Sequence, residues 1–277
     1  MKLTRHPTRV SFSEAAESFL LEAEAENGLM LGLLGALPEE VEVGEPVPVL
    51  ATVAVAGQTV ACAVRTPPHR VVVTRGPAKA LEVLAREFAQ TDSDPAGVLG
   101  PRGATLTFSA RWSAATGRGH QVIMEQGIYR LDPADLAVPE APGHLRSGRS
   151  DDVEVLATWI EDFQMGAPPP HANPRAVAEQ RVEEGSIFVW DDRHPVSVIG
   201  LSGPTPNGIR ISLVYTPPES RGRGYASALV GTLSRRLLEG GKDFCCLYTD
   251  LASPTPNKIY RELGYRLVCD GVLVDFE

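Results

Sequence analysis

The sequence predicts an α/β protein, a mixed central sheet flanked by helices, built as two halves in tandem. Three observations carry this. The second half reads as strand, two helices, three strands, helix, strand, helix, strand, an order that belongs to a mixed sheet with helices on both faces. The first half echoes it: helix, hairpin, strand, helix, short strand, helix, strand. Between the halves, Asp132 to Pro142 is rich in proline, alanine and acid and shows no hydrophobic period, as a linker would. The echo lies in topology rather than in residues, and a period of about 140 residues is a duplicated domain rather than a solenoid. The expected domains are therefore residues 1–135 and 136–277.

The elements follow in order. Ser13 to Leu37 looks helical, interrupted at Gly28, Gly32 and Gly35 and stopped by Pro38. Val49 to Val55 and Val60 to Val64 are β-branched runs joined at Gly57-Gln58, a hairpin turn. Arg70 to Thr74 is a short strand. Pro77 starts a helix with Leu81, Leu84 and Phe88 on one face, ending near Gln90. Thr91 to Pro95 is a turn cluster, Gly97 to Gly100 a short strand, Pro101 to Ala115 a helix and His120 to Leu131 a strand. The second half opens with a strand at His144 to Arg146. Asp151 or Asp152 then caps a helix carrying Val155, Trp159 and Phe163. A proline loop (Pro168 to Pro174, with His171) leads to a helix over Pro174 to Glu184. Strands come next at Ser186 to Asp191, Val196 to Ser202 and Ile209 to Thr216. Tyr225 onward is helical, with Ala226, Leu229, Val230, Leu233 and Leu237 on one face. Phe244 to Asp250 is a strand, Pro254 to Leu263 a helix, and Asp270-Gly271 marks a terminal hairpin.

The 277 residues suffice for one large domain or two of average size. A net charge of −9 argues against non-specific binding to nucleic acid or to acidic membranes. Cys62, Cys245, Cys246 and Cys269 match no zinc spacing and read as buried thiols in a reducing compartment, so no metal is expected. Met1 to Glu14 carries no apolar signal core. The most apolar window, Pro46 to Val64, is broken by Pro48, Gly57, Gln58 and Thr59, so no membrane span is expected. A soluble cytoplasmic protein, monomer or homodimer, is the expectation.

The chemistry concentrates in Val214-Tyr215-Thr216-Pro217-Pro218-Glu219-Ser220-Arg221-Gly222-Arg223-Gly224-Tyr225-Ala226-Ser227. A strand, a glycine-rich turn and a helix N-terminus together make a site for phosphate groups, because free first-turn amides point at the anion and missing side chains let the backbone approach. Arg221 and Arg223 concentrate positive charge there. The stretch lacks the third Gly or Ala of the dinucleotide fingerprint and the Gly-Lys-Ser/Thr of a Walker loop. A second motif lies downstream in Ser253-Pro254-Thr255-Pro256-Asn257-Lys258-Ile259-Tyr260-Arg261-Glu262-Leu263-Gly264-Tyr265. There Asn257, Tyr260 and Arg261 fall three and four apart, on one helix face. The turn at Thr74 to Lys79 in the first half has no matching glycines, and Pro77 removes an amide, so one cofactor site is expected rather than two.

Arg221, Gly224 and Ala226 fit Arg/Gln-x-x-Gly-x-Gly/Ala, and the run from Asn257 through Tyr260 to Gly264-Tyr265 fits Asn-x-x-Tyr-x-x-x-Gly-Tyr. Together they resemble the acyl-CoA loop and the C-terminal motif of the GCN5-related N-acetyltransferase (GNAT) superfamily. The resemblance is specific over Pro195 to Tyr265 and extends by element order from His144 to the C-terminus. The first half resembles the degenerate N-terminal half of tandem GNAT proteins. The resemblance implies an enzyme that moves acetyl from acetyl-CoA to a small-molecule or peptide amine. Gly222, Arg223, Gly224, Tyr225, Ala226 and Ser227, with Arg221, would hold the pyrophosphate, and Asn257 would reach the cofactor. Val214, Tyr215 and Thr216 would lie beside the pantetheine arm and supply an oxyanion-binding amide. Tyr260 would protonate the leaving thiolate, unless it is a core tyrosine packed under the sheet.

Two departures stand out. The family usually has Asn where this chain has Ser253, and many relatives place a Glu on the strand that here reads Ile209-Arg210-Ile211-Ser212-Leu213. The general base is accordingly open: Asp250 is the first candidate, with a turn cap as its other reading, while Glu161, His171 and a water chain remain. His6, His69, His120 and His194 receive no role. The rival reading is a non-catalytic acyl-CoA-binding protein, and a dinucleotide-dependent enzyme is the third.

Overall fold

The computed structural model of the chain describes residues 1–38, 47–90, 94–165 and 173–277. In chain order it shows β1 (Lys2–His6), α1 (Arg9–Leu21), α2 (Gly28–Ala36), β2 (Val49–Val55), β3 (Gln58–Arg65), β4 (Val71–Val73), α3 (Ala78–Gln90) and β5 (Gly97–Pro101). Next come α4 (Arg102–Thr116), β6 (His120–Leu131), β7 (His144–Ser147), α5 (Val153–Met165), α6 (Pro174–Glu183), β8 (Ile187–Asp191), β9 (Pro195–Ser202) and β10 (Gly208–Tyr215). The chain closes with α7 (Tyr225–Glu239), β11 (Phe244–Asp250), α8 (Pro254–Glu262) and β12 (Arg266–Phe276). The fold is mixed α/β and divides into two compact units. The first takes residues 1–128, 249–253 and 267–277, and the second takes 129–248 and 254–266. The prolines Pro168 to Pro170 with His171, and residues 91–93 of the expected turn cluster, lie outside the described residues.

In the first unit β1, β2, β3 and β4 pair antiparallel in sequence, β4 runs parallel to β5, and β5 pairs antiparallel with β12. Strands β2 and β3 are nearly continuous apolar runs because both faces of this sheet are covered. Val49, Ala51, Val53, Ala61 and Ala63 pack under Leu81, Leu84 and Phe88 of α3 and Phe108 and Trp112 of α4. Leu50, Cys62 and Val64 point the other way, onto Phe12, Ala16 and Leu20 of α1 and Met30 and Leu34 of α2.

Several details depart from the sequence expectation. β1 has no apolar period and becomes a strand through its pairing with β2. The helix expected over Ser13 to Leu37 is two helices, and Asn27 Nδ2 fastens the turn between them by donating to Leu20 O at 2.9 Å. The first hairpin turns at Ala56 and Gly57, with φ of 49° and 84°, one residue earlier than expected. Two consecutive positive φ values are those of a type I′ turn, whose twist matches the flanking strands. No hairpin forms at Asp270-Gly271, where β12 runs unbroken. Gly271 instead allows close strand approach: a Cβ there would stand 3.2 Å from Gly100 O.

In the second unit β7, β8, β9 and β10 pair antiparallel in sequence, and β10 runs parallel to β11. Leu229 and Leu233 from α7, Tyr260 from α8 and Leu263 just beyond it cover Ile199, Ile211 and Leu247 on one face. Leu156 and Ile160 from α5 and Ala178 from α6 cover Ile187, Val189, Val198 and Leu213 on the other. Phe163, expected with Val155 and Trp159 on α5, is 40% exposed, whereas Trp159 is buried as expected and Leu156 and Ile160 line that side with it. On α7, Leu229, Val230 and Leu233 are buried as expected, whereas Ala226 and Leu237 are half-buried.

The stretch expected to be a linker is a strap fastened to this unit. Ala137 N donates to Leu263 O at 3.1 Å, and Trp190 Nε1 donates to Pro142 O at 2.6 Å. Gly264, at a φ of 99°, closes α8, and a side chain there would collide with Asp135 O. Arg146 on β7 joins the opposite end together. Its guanidinium donates to Asp191 Oδ2 at 2.6 Å and to both carboxylate oxygens of Asp152, at 2.6 and 3.0 Å.

Candidate functional site

The site is built around an irregularity in β10. Ser212 faces Gly200 and Tyr215 faces Val198, so three steps on β10 match two on β9. One residue is therefore extra, a β-bulge, and Leu213 within it takes a φ of 48°. A bulge frees backbone groups from the ladder, which in a strand beside a cleft makes them available to a ligand. On its other side β10 pairs with β11 over Gly208–Ile211 and Phe244–Leu247, just short of the bulge. Ser197 Oγ bonds Tyr215 O at 3.0 Å and Thr216 Oγ1 at 2.7 Å, holding the end of the strand. The Tyr215 hydroxyl donates to Asp162 Oδ2 of α5 at 2.8 Å. Burial, and then that carboxylate, push the Tyr215 phenol above its ordinary pKa.

Pro217 and Pro218 end the strand, because neither can donate to a ladder. The chain then turns through Gly222 and Gly224, with φ of 75° and 80°. Gly224 is the N-cap of α7, and among the described residues no side chain caps that helix. Its first-turn amides are therefore left for an external acceptor. Arg221, Gly222, Arg223 and Gly224 are exposed, and no described residue lies within 4 Å of where a Cβ on Gly222 would stand. Arg221 Nε donates to Thr216 O at 2.9 Å, which fixes this guanidinium beside the turn. Tyr225 is buried, with its hydroxyl donating to Asp192 Oδ2 at 2.6 Å. Only its backbone can serve the turn. Ala226 and Ser227 are half-buried in the first turn of α7.

Asn257 and Tyr260 are both buried, whereas Arg261 is exposed, so the three residues expected on one face divide between core and surface. The Tyr260 ring meets Tyr265 edge-on at 6.0 Å between centroids. Burial pushes its phenol well above the ordinary tyrosine value, so it stays protonated at neutral pH. Asp250 Oδ1 accepts from Ala252 N at 2.8 Å and shapes the turn into α8. Val214 to Thr216, Arg221 to Ser227, Asn257 and Tyr260 all belong to the second unit, whereas Asp250 belongs to the first. Glu161 is exposed on α5, and His171 lies outside the described residues.

Sequence reasoning missed Asp162, Asp192 and Ser197, which position Tyr215, Tyr225 and Thr216. Each acts across strands or helices, so no spacing along the chain announces it. The bulge was equally silent, since its positive φ falls on a leucine rather than a glycine. Among the described residues there is no group of three or more His, Cys, Asp or Glu placed to hold a metal. No described helix is long and apolar enough to cross a membrane.

Comparison with known proteins bears on the fold. Residues 205–273 match the family described as FR47-like protein. A search of curated proteins returns no match. Among solved structures, a GCN5-related N-acetyltransferase from Sphaerobacter thermophilus matches at 18% identity and a TM-score of 0.62, over 98% of this chain and 94% of that one. A Drosophila protein matches at 13% identity and a TM-score of 0.68, over 99% and 98%. A tandem GNAT protein from the clavulanic acid biosynthesis pathway matches at 12% identity and a TM-score of 0.52, over 100% and 98%. With its bulged strand, glycine turn and uncapped helix, the chain has the fold of the GCN5-related N-acetyltransferase superfamily in its tandem form.

Proposed function

We propose that the chain is an acyl-CoA-dependent N-acyltransferase whose site lies in its second half, residues 136–277, with residues 1–135 a degenerate GNAT-like domain. The observation that carries this is the uncapped N-terminus of α7 at Gly224, two left-handed glycines long and flanked by Arg221 and Arg223. The fit to a pyrophosphate is physical: open space over Gly222, amides without intrahelical partners, and two cations. Asn257 would add a polar contact. When bound, acetyl-CoA supplies an acyl thioester: the amine nitrogen bonds its carbonyl carbon, the carbon–sulfur bond breaks toward sulfur, nitrogen loses a proton and sulfur gains one.

The chain's own groups meet each of these needs. The freed backbone of the bulge at Leu213 to Tyr215 offers an N–H to the oxygen on which charge develops. Tyr260, kept protonated by burial, delivers the proton to sulfur. The proton from nitrogen goes to Asp250 or to water.

Thiol release from acetyl-CoA across a panel of amines tests the reading. Amine-dependent release that falls about 100-fold in Tyr260→Phe is the expected outcome. Tight CoA binding with no turnover on any amine, and no effect of Tyr260→Phe, would support a non-catalytic acyl-CoA-binding protein instead. Heat protection by NAD but not by CoA would point to a dinucleotide enzyme.

A further inference from the structure

The α5/α6 face of the second unit's sheet carries a cluster that the donor site does not use. Arg210 and Ser202 are directly opposed across β10 and β9, as are Ser212 and Gly200, so these four positions share one face. That face also presents Val198 and Leu213 to α5 and α6. Arg181 of α6 lies over Gly200, where its guanidinium fills the space a Cβ would take. Two guanidinium groups and two hydroxyls therefore converge beside the bulge, Ser212 being the last residue before the register shifts.

The cluster is short of acceptors. Arg210 Nε, Ser202 Oγ and Ser212 Oγ are shut off from solvent and have no hydrogen-bond partner among the described residues. Among the described residues, the Arg181 guanidinium donates to Leu201 O, at 3.3 Å. Arg210 otherwise rests over the ring of Tyr248, 5.5 Å from its centroid. Burial lowers the Arg181 pKa, and the nearby Arg210 charge lowers it further, against a partial offset from Glu184. That carboxylate is already engaged by Gln180 Nε2 at 2.7 Å and Ser186 Oγ at 3.2 Å. Buried donors left without acceptors are costly, and guanidinium groups can only donate. Like charges brought together out of water call for an anion between them. Arg181, Ser202, Arg210 and Ser212 are each half-buried, so the cluster keeps an open side.

From this geometry we propose that Arg210, Arg181, Ser202 and Ser212 form a pocket for an anionic group on the acceptor, which makes the acceptor a small amine bearing a carboxylate. The proposal rests on the transferase reading for the word acceptor, though the anion pocket does not depend on it. A planar carboxylate matches the fork of a guanidinium bidentately, and the two serine hydroxyls complete its shell. Anchored there, the amine of an amino acid lies toward the bulge, where the acyl carbon would be presented.

The test pairs each common amino acid with the amine that lacks its carboxylate, for example β-alanine with ethylamine and phenylalanine with 2-phenylethylamine. Turnover of each is measured on the full chain, and thermal protection by each is measured in the presence of CoA. At least one amino acid should be preferred over its carboxylate-free partner by ten-fold or more in kcat/KM, a margin set by about one charge-assisted bond. Arg210→Gln should remove that preference mainly through KM, leave KM for acetyl-CoA and turnover of the carboxylate-free amine within about two-fold, and abolish the thermal protection. Arg210→Lys should restore part of it, because charge remains while the fork is lost. Ser212→Ala, a smaller change, should weaken the preference without altering the melting temperature in CoA alone. Turnover confined to carboxylate-free amines, or equal use of both partners, would overturn the pocket and leave the transferase standing. Absence of turnover on every amine, with protection by amino acids that depends on Arg210, would overturn the transferase and leave the pocket. Neither preference nor protection would overturn the proposal outright.

Discussion

Tyr260 can act as an acid only if it holds its proton until sulfur departs, and its burial under Tyr265 secures that. Because its phenol is raised above the ordinary value, its titration belongs above pH about 10. The kcat–pH profile should therefore show no alkaline limb from this group below that pH, and a limb near pH 9 that vanishes in Tyr260→Phe would contradict the assignment. Gly224 makes the second prediction at this scale. At a φ of 80° it has a backbone that other residues reach at a cost of about 1 kcal/mol or more. Gly224→Val adds a branched side chain at the mouth of the proposed phosphate site. Calorimetry should show CoA binding weakened at least ten-fold while the fold persists; unchanged affinity would place the pyrophosphate elsewhere. Residues of this kind were legible because glycine, proline and tyrosine carry their chemistry in their identity. Asp192 and Ser197 were not, because an aspartate or serine takes its role from a partner that only folding supplies.

Strand β7, the start of α5 and strand β8 are held together by one arginine. Arg146 and Asp152 have side chains 11% and 8% exposed, so removing one partner strands a buried charge. Asp152→Asn should cost about 3 kcal/mol in denaturant unfolding at neutral pH. Burial alone would raise the Asp152 pKa, but the Arg146 hydrogen bonds and the amide of Arg149 outweigh it and hold the carboxyl below its ordinary value. A depressed carboxylate contributes stability that is complete above the unfolded pKa, about 3.9, and lost as the pH falls through the folded one. The deficit of Asp152→Asn should accordingly shrink below about pH 4; a deficit independent of pH would contradict the ion-pair account. The strap over α8 makes a parallel case, since Gly264→Ala would place a methyl against Asp135 O and strain a φ of 99°. Elements with a clear period, such as α3 with Leu81, Leu84 and Phe88, were legible from sequence. β1 and the strap were not, because their order comes from pairing and docking rather than from any period of their own.

Across the whole molecule, sequence order and compactness part company at the C-terminus. The tandem echo was legible because both halves alternate helix and strand signals in similar order. The membership of β12 was not: its residues follow the second half, yet Val272, Val274 and Phe276 enter the core of the first unit. Phe276 stacks on Trp112 at 3.7 Å. Removing residues 267–277 should therefore melt the first unit, seen as exposure of Trp112 in the fluorescence spectrum; an unshifted spectrum with unchanged stability would refute this. The proposed anion pocket was hidden from the sequence as well, because Arg181, Arg210 and Ser212 gather only when a helix crosses the sheet. The central claim concerns the donor, and a crystal structure of the full chain grown with CoA tests it most directly. The account predicts pyrophosphate on the amides of Gly222 to Ser227 and the pantetheine arm along Val214 to Thr216, its sulfur approaching Tyr260. CoA bound at any other surface, or none bound at saturating concentration, would contradict it.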